Sequence, residues 1–134
     1  MFFWKRKRKL ILKLIHVEPA MSGIFCFGRE GIDNFTPEES HELLKTIQTI
    51  TVQPISYINP WEWEIPLEDV KLSTFPLDKI LHQEISAYMP SGKDASQWNR
   101  WMTEAQMLLH THPINQKREA LNQKIVNWIW IERS

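Results

Sequence analysis

Residues 94–119, DASQWNRWMTEAQMLLHTHPINQKRE, carry the strongest helical pattern in the chain. Six apolar side chains recur in this stretch at spacings of three and four, which places them on one face of a helix with 3.6 residues per turn. They are Trp98, Trp101, Met102, Ala105, Leu108 and Leu109. Asp94 or Ser96 is expected to cap the helix at its start. Pro113 is expected to end it, because proline restricts the preceding residue and lacks an amide donor.

Polar side chains that can bind a ligand cluster at the C-terminal end of this predicted helix. Gln106 and His110 are four residues apart and therefore neighbours on a helix surface, and His112 and Arg118 are expected to converge where a second short helix begins. A guanidinium, side-chain amides and an imidazole suit a small anion or an acidic group. The predicted ligand-binding residues are Glu104, Gln106, His110, His112, Asn115, Arg118 and Asn127.

Two other interpretations of this polar cluster stay open. The strongest of the three interpretations is structural, because buried polar groups that lack partners are costly, and these side chains can satisfy one another where helix meets strand. The weaker one is a divalent metal held by His110, His112 and Glu104, and no metal ligands are predicted on that basis.

Strand and helix patterns surround the long helix on both sides. Residues 10–17 and 24–28 predict two strands of a hairpin, and Thr36-Pro37-Glu38-Glu39 predicts a capping box that opens a helix over residues 37–49. Further strands are expected at VQPISYI, WEWEI and KIVNWIWI, and a short helix between Leu77 and Tyr88. The predicted fold class is α+β, an antiparallel sheet of about five strands with three or four helices packed on one face.

Charge is distributed unevenly along a chain whose formal net charge is zero. Six of the sixteen basic residues precede residue 14, so ten remain against sixteen acidic residues, which gives the rest of the chain a net charge of −6. At 134 residues and 43% hydrophobic content, one domain with its own core is expected. The predicted division is a basic N-terminal arm over residues 1–9 and a single α+β domain over residues 10–134.

The basic arm has two interpretations. Anionic lipid or nucleic acid would contact Lys5, Arg6, Lys7, Arg8 and Lys9. Short basic runs are common, however, and a solvated arm is favoured over either contact. The apolar run LILKLI after it is short and interrupted by Lys13, which argues against a signal peptide and a membrane span.

Cysteine and tryptophan usage adds two expectations. The single cysteine, Cys26, excludes an internal disulfide framework, and its GIFCFG setting predicts a buried thiol in a reducing cytoplasm. Most of the seven tryptophans are expected in the core. One predicted strand carries Trp61 and Trp63, and another carries Trp128 and Trp130. If these two strands pair, their indoles could stack across the sheet. An exposed indole would suit a nucleic acid base or a partner protein.

Several motifs together resemble a known family. They are Trp98-x-x-Trp101, Glu104-x-Gln106-Met107-x-Leu109-His110-x-His112-Pro113-x-Asn115, Arg118-Glu119 and Asn127-x-x-Trp130. The run from Leu77 to Trp130 is similar to the C-terminal part of bacterial RpfE-type proteins, which are labelled regulatory proteins or, loosely, phosphoglycerate mutases. Members are longer at the N-terminus and tend to end in a glycine-rich tail, where this chain has Glu132-Arg133-Ser134. The resemblance implies a regulatory role.

The residues argue against mutase chemistry and for binding. The sequence has no Arg-His-Gly run, glycine-rich phosphate loop, GxSxG elbow, HExxH helix or Cys/His zinc spacing, and no cofactor is predicted. The predicted function is a non-enzymatic cytoplasmic regulatory or interaction module that binds a small anion or an acidic group of a partner protein. The alternatives are a small hydrolase or transferase with His110 or His112 as general base, and nucleic-acid binding through the arm and exposed tryptophans. Surplus apolar surface would favour a homodimer.

Overall fold

A twelve-residue strand, β1 (Lys9–Ala20), is the centre of a five-stranded antiparallel sheet in the computed structural model, which describes residues 8–67 and 69–134. The other strands are β2 (Gly23–Gly28), β3 (Ser56–Asn59), β4 (Glu62–Pro66) and β5 (Trp128–Arg133). The helices are α1 (Pro37–Gln48), α2 (Leu77–Ile80), α3 (Ala95–Thr111) and α4 (Pro113–Ala120), with a short 3₁₀ helix (Ile85–Tyr88) before α3. The predicted α+β class is confirmed.

Strand β1 pairs with three partners. Residues 9–13 pair with β4, residues 10–15 pair with β5, and residues 16–20 pair with β2 across a register shift between His16 and Val17. Strand β3 extends the sheet beyond β4. Because β4 and β5 flank β1, they do not pair with each other, and the condition for stacking of their tryptophans across neighbouring strands is not met.

The two faces of the sheet are covered differently. Leu10, Leu12 and Leu14 share one face with Trp63, whose Nε1 donates to Ser40 Oγ of α1 at 3.0 Å. Helices α3 and α4 pack against α1 on that same face. On the other face Trp130 is fully buried and donates from Nε1 to the carbonyl of Phe75 at 2.8 Å. The three longer helices therefore cover one face, as expected, and the segment that contains α2 covers part of the other.

The predicted limits of α1 and α3 are close to the observed ones, with one correction at a cap. Thr36 Oγ1 accepts from the amide of Glu39, and Glu39 accepts from the amide of Thr36, which completes the capping box. Asp94 occupies the cap position of α3 but makes no capping hydrogen bond there. Its Oδ2 accepts from the amide of Lys71 at 2.8 Å instead, because the chain before α3 runs beside residues 71–73.

Two predicted elements are shorter in the structure. The helix expected between residues 77 and 88 is interrupted at His82, whose φ of +64° turns its amide toward the carbonyl of Cys26. The last strand begins at Trp128, because the backbone groups of Lys124 and Val126 bond to Arg118 and Asn115 of α4 instead of extending β5.

Burial of the thiol and the indoles agrees with expectation. Cys26 is fully buried, and this burial raises the pKa of its thiol. Among the described tryptophans only Trp61 is more than slightly exposed, and it is half-buried. In the described part of the chain, every helix is too short or too polar to cross a bilayer.

The basic arm falls mainly outside the described residues, which exclude Lys5, Arg6 and Lys7. Arg8 is exposed, and its carbonyl accepts from the amide of Leu67. Lys9 was expected in the arm but is the first residue of β1, with its Nζ 3.0 Å from Glu64 Oε2. Lys9 therefore belongs to the sheet, and the division of the chain into a basic arm and a domain stays a prediction.

Candidate functional site

His112 forms the corner between α3 and α4. It is the C-cap residue of α3 and the N-cap residue of α4, and its Nδ1 accepts from the amide of Ile114 at 3.1 Å. Because Nδ1 accepts, Nε2 carries the proton and donates to Thr46 Oγ1 of α1 at 3.1 Å. Burial lowers the pKa of this imidazole, which favours the neutral ring that the corner requires.

Asn115 is fully buried just after this corner. Its Nδ2 donates to the carbonyls of Leu109 and Val126, both at 2.8 Å, and its Oδ1 accepts from the amide of Val126 at 3.1 Å. The amide therefore joins α3, α4 and the approach to β5, and its donors and acceptor serve the fold.

Arg118 lies in the second turn of α4 and is 2% exposed. Its Nε donates to the carbonyl of Lys124 at 2.7 Å, and its Nη2 donates to Asn34 Oδ1 at 2.6 Å. Its Nη1 lies 3.2 Å from both carboxylate oxygens of Glu39, the same residue that closes the capping box of α1. Arg118 therefore ties α4 to the start of α1, and its charge is balanced by Glu39.

The side chain of Asn127 pairs with the backbone of β1 in the manner of a strand residue. Its Oδ1 accepts from the amide of Val17 at 2.8 Å, and its Nδ2 donates to the carbonyl of Val17 at 2.9 Å. A side-chain amide offers the same donor and acceptor as a peptide group, so Asn127 continues the pairing of β1 beyond the end of β5.

The remaining three predicted site residues lie on the outer surface of α3. His110 and Glu104 are exposed and Gln106 is partly exposed. Glu104 lines a groove of about 190 Å³ between α3 and residues 50–53. The structure thus brings His112, Asn115, Arg118 and Asn127 into the joints of the fold, and it does not gather all seven residues around one cleft.

A cleft of about 360 Å³ opens beside Arg118, between α4 and the chain that enters α1. Its lining residues are Asn34, Thr36, Glu39, Ile114, Lys117, Arg118, Leu121 and Gln123. Two cations and one carboxylate in this set leave a net charge of +1. Apart from Arg118, none of these residues was predicted to bind a ligand. Thr36 and Glu39 were recognised only as a helix start, because no local pattern reveals a partner 79 residues away.

Two of the predicted alternatives, a metal site and a general base, depend on His110 and His112. Among the described residues, no three His, Cys, Asp or Glu side chains are grouped to hold a metal ion. His110 and His112 line neither the cleft beside Arg118 nor the groove beside Glu104.

These observations define an α+β domain with charged clefts on its surface. No family model, curated protein or solved structure matches the chain.

Proposed function

We propose that this protein is a non-enzymatic regulatory or interaction module that binds an acidic group of a partner protein in the cleft beside Arg118. The observation that supports the proposal is the cleft itself, about 360 Å³ in volume, with a surplus of one positive charge among its lining residues. Binding sites commonly combine a few polar groups with apolar contacts in such a concavity. The resemblance to RpfE-type regulatory proteins supports the same kind of role.

Lys117 is the residue that would bind the acidic group. Arg118 is already paired with Glu39, whereas Lys117 is exposed and takes part in none of the ion pairs found among the described residues. Asn34 uses its Oδ1 for Arg118, so its Nδ2 can donate to the same ligand. An exposed ammonium and a neighbouring amide suit a carboxylate.

Leu121 adds an apolar contact at the rim of the cleft. Its side chain is 59% exposed, and Ile114 lies partly exposed beside it in the lining. A carboxylate next to an apolar side chain would use both features, whereas a bare inorganic anion would use only the charge. The proposed ligand is therefore an acidic peptide segment with a neighbouring leucine or similar residue.

The groups around the cleft favour binding over catalysis. Of the described residues that line it, Glu39 is the one that carries a carboxylate. Its carboxylate accepts from Arg118 and from the amide of Thr36. A general base needs a free acceptor aimed at the substrate, and Glu39 is committed to the fold.

The buried free thiol of Cys26 supports a reducing compartment as the location of this module, and we propose the cytoplasm.

The test uses the peptide acetyl-Leu-Glu-Glu-Leu-amide, titrated into the whole protein and followed by amide chemical shifts. We expect saturable shifts at Leu121 and Gln123. We expect about two- to fivefold weaker binding for Lys117→Gln, since an exposed charge pair contributes modestly. Arg118→Ala is unsuitable for this test, because its loss would also break the contact with Glu39.

Lys93→Gln is the matched control, since Lys93 is an exposed lysine outside the cleft. Equal affinity of wild type and Lys117→Gln, or the absence of saturable shifts at Leu121 and Gln123, would contradict the proposal.

A further inference from the structure

A separate pocket of about 150 Å³ lies where the end of β2, the start of β4 and the start of α2 approach β1. It is lined by Lys13, Leu14, Arg29, Trp61, Glu62 and Leu77. None of these residues belongs to the cleft beside Arg118. The pocket is small, since sites for drug-sized ligands span about 300–1,000 Å³.

Arg29 is held in the pocket by an aromatic ring. Its guanidinium carbon lies 3.7 Å from the centre of the Trp61 ring, within the range of a cation–π contact. The indole is itself fixed, because its Nε1 donates to the carbonyl of Ile32 at 3.1 Å. The amide of Ile32 in turn donates to the carbonyl of Arg29. Side chain and backbone of Arg29 are thus both positioned by the same turn.

The hydrogen-bonding edge of this guanidinium is open. Stacking uses the face of the group and leaves its N–H donors in the plane. Among the described residues, Arg29 side-chain atoms form no hydrogen bond or ion pair. A planar fork of this kind binds two carboxylate oxygens at once.

Glu62 supplies the opposite charge. Lys13 is its partner in the strand register, but Lys13 Nζ pairs with Glu132 Oε2 at 2.9 Å. The same oxygen accepts from the amide of Leu77 at 2.9 Å, which fixes Glu132 on Lys13. Within the described chain, Glu62 is therefore left without an ion pair, and it does not pair with Arg29.

We infer that this pocket binds a small α-amino acid as the zwitterion. Lys13 in the lining is paired with Glu132, which leaves one cation and one carboxylate without an ion pair among the described residues. A ligand that carries both complementary charges satisfies both. The ligand carboxylate would bind Arg29 and its ammonium would bind Glu62. Leu77, which is partly exposed in the lining, suits a short aliphatic side chain. A simple anion or a simple cation would leave one of the two charges unmet.

The experiment is a titration of the ¹⁵N-labelled protein with L-alanine and L-valine, with the indole N–H signal of Trp61 as the local reporter. We expect a saturable shift with Kd on the order of 1 mM. Acetate carries only the carboxylate and methylammonium only the ammonium of an amino acid. We expect both to bind at least about tenfold more weakly than L-valine, a difference of about 1.4 kcal/mol in binding free energy.

Arg29→Gln and Glu62→Gln should each weaken L-valine binding about tenfold or more. Arg100→Gln and Glu104→Gln are matched controls on α3, and they should leave it unchanged. The inference is overturned if neither amino acid gives a saturable shift, if acetate binds as tightly as L-valine, or if Arg29→Gln and Glu62→Gln bind like the controls.

Discussion

At the scale of single residues, His112 links protonation to stability. Its Nδ1 can accept from the amide of Ile114 only when that nitrogen is unprotonated. Burial lowers the pKa of the ring below its usual value of 6.5, and the opposing effect of Glu42 is smaller. The unfolded chain therefore binds the proton first as pH falls. The stability contributed by His112 is complete above about pH 6.5 and is lost as pH falls through the folded-state pKa.

We expect His112→Asn to have a flatter pH dependence than the wild type. Asparagine can cap a helix but does not titrate. Urea unfolding between about pH 7.5 and about pH 5.5 should show the wild type losing more free energy of unfolding than the variant. His110→Asn, two residues earlier on the exposed surface, is the control for this exchange of side chains. Parallel curves for wild type and His112→Asn would contradict the linkage.

Trp128 and Trp130 form a matched pair on one face of β5. Trp128 is 7% exposed and Trp130 is 0% exposed. Among the described residues, the indole nitrogen of Trp130 donates to the carbonyl of Phe75, whereas that of Trp128 has no hydrogen-bond partner. Phenylalanine at position 130 would leave that carbonyl without its donor, whereas phenylalanine at position 128 would remove an unpaired donor. We expect Trp130→Phe to lower the free energy of unfolding by about 1–2 kcal/mol more than Trp128→Phe in urea titrations. Equal losses would show that the hydrogen bond contributes nothing.

At the scale of elements, the contact of Arg118 with Glu39 joins α4 to α1. The side chains are 3% and 22% exposed, so removal of one charge leaves the other poorly solvated. We expect Arg118→Met to lower the free energy of unfolding by about 3–5 kcal/mol in urea titrations. Arg100→Met on the exposed surface of α3 should change it by no more than about 0.5 kcal/mol.

A double variant separates this charge pair from the other bonds of Arg118. Glutamine can replace glutamate in a capping box, so Glu39→Gln keeps the start of α1 while it removes the charge. The loss in Arg118→Met with Glu39→Gln should be smaller than the sum of the two single losses. Additive losses would mean that the pair is not coupled.

The limits of the helices follow from local signals, and the joints between elements do not. The capping box at Thr36 and the break at Pro113 involve neighbours within a few residues, so the sequence was sufficient to place α1 and α3. Arg118, by contrast, meets Glu39 across 79 residues, and no periodicity encodes that pairing. The sequence shows the polar side chains near the end of α3 but not their distant partners, so they were interpreted as a ligand-binding cluster. In the structure, His112, Asn115, Arg118 and Asn127 use their polar atoms to hold neighbouring helices and strands together.

At the scale of the whole molecule, β1 makes the fold depend on both ends of the chain. Its residues 10–13 lie between β4 and β5, and β5 comes from the last few residues of the sequence. The fully buried Ile131 packs in β5 opposite Leu12. Since the core on β1 is complete only when β5 is in place, the domain should unfold as one cooperative unit.

Ile131→Val tests this cooperativity, because it removes one methylene from the core without a change of shape elsewhere. We expect a loss of about 0.5–1.5 kcal/mol in the free energy of unfolding. Native-state hydrogen exchange should show the same loss at the slowest amides of α1 and β4 as at those of β5, because all of them exchange through global unfolding. Met107→Ala, at an exposed position of α3, should leave these amides unchanged. A loss confined to β5 would identify that strand as a unit that opens separately, and the helices on β1 would then be stable without it.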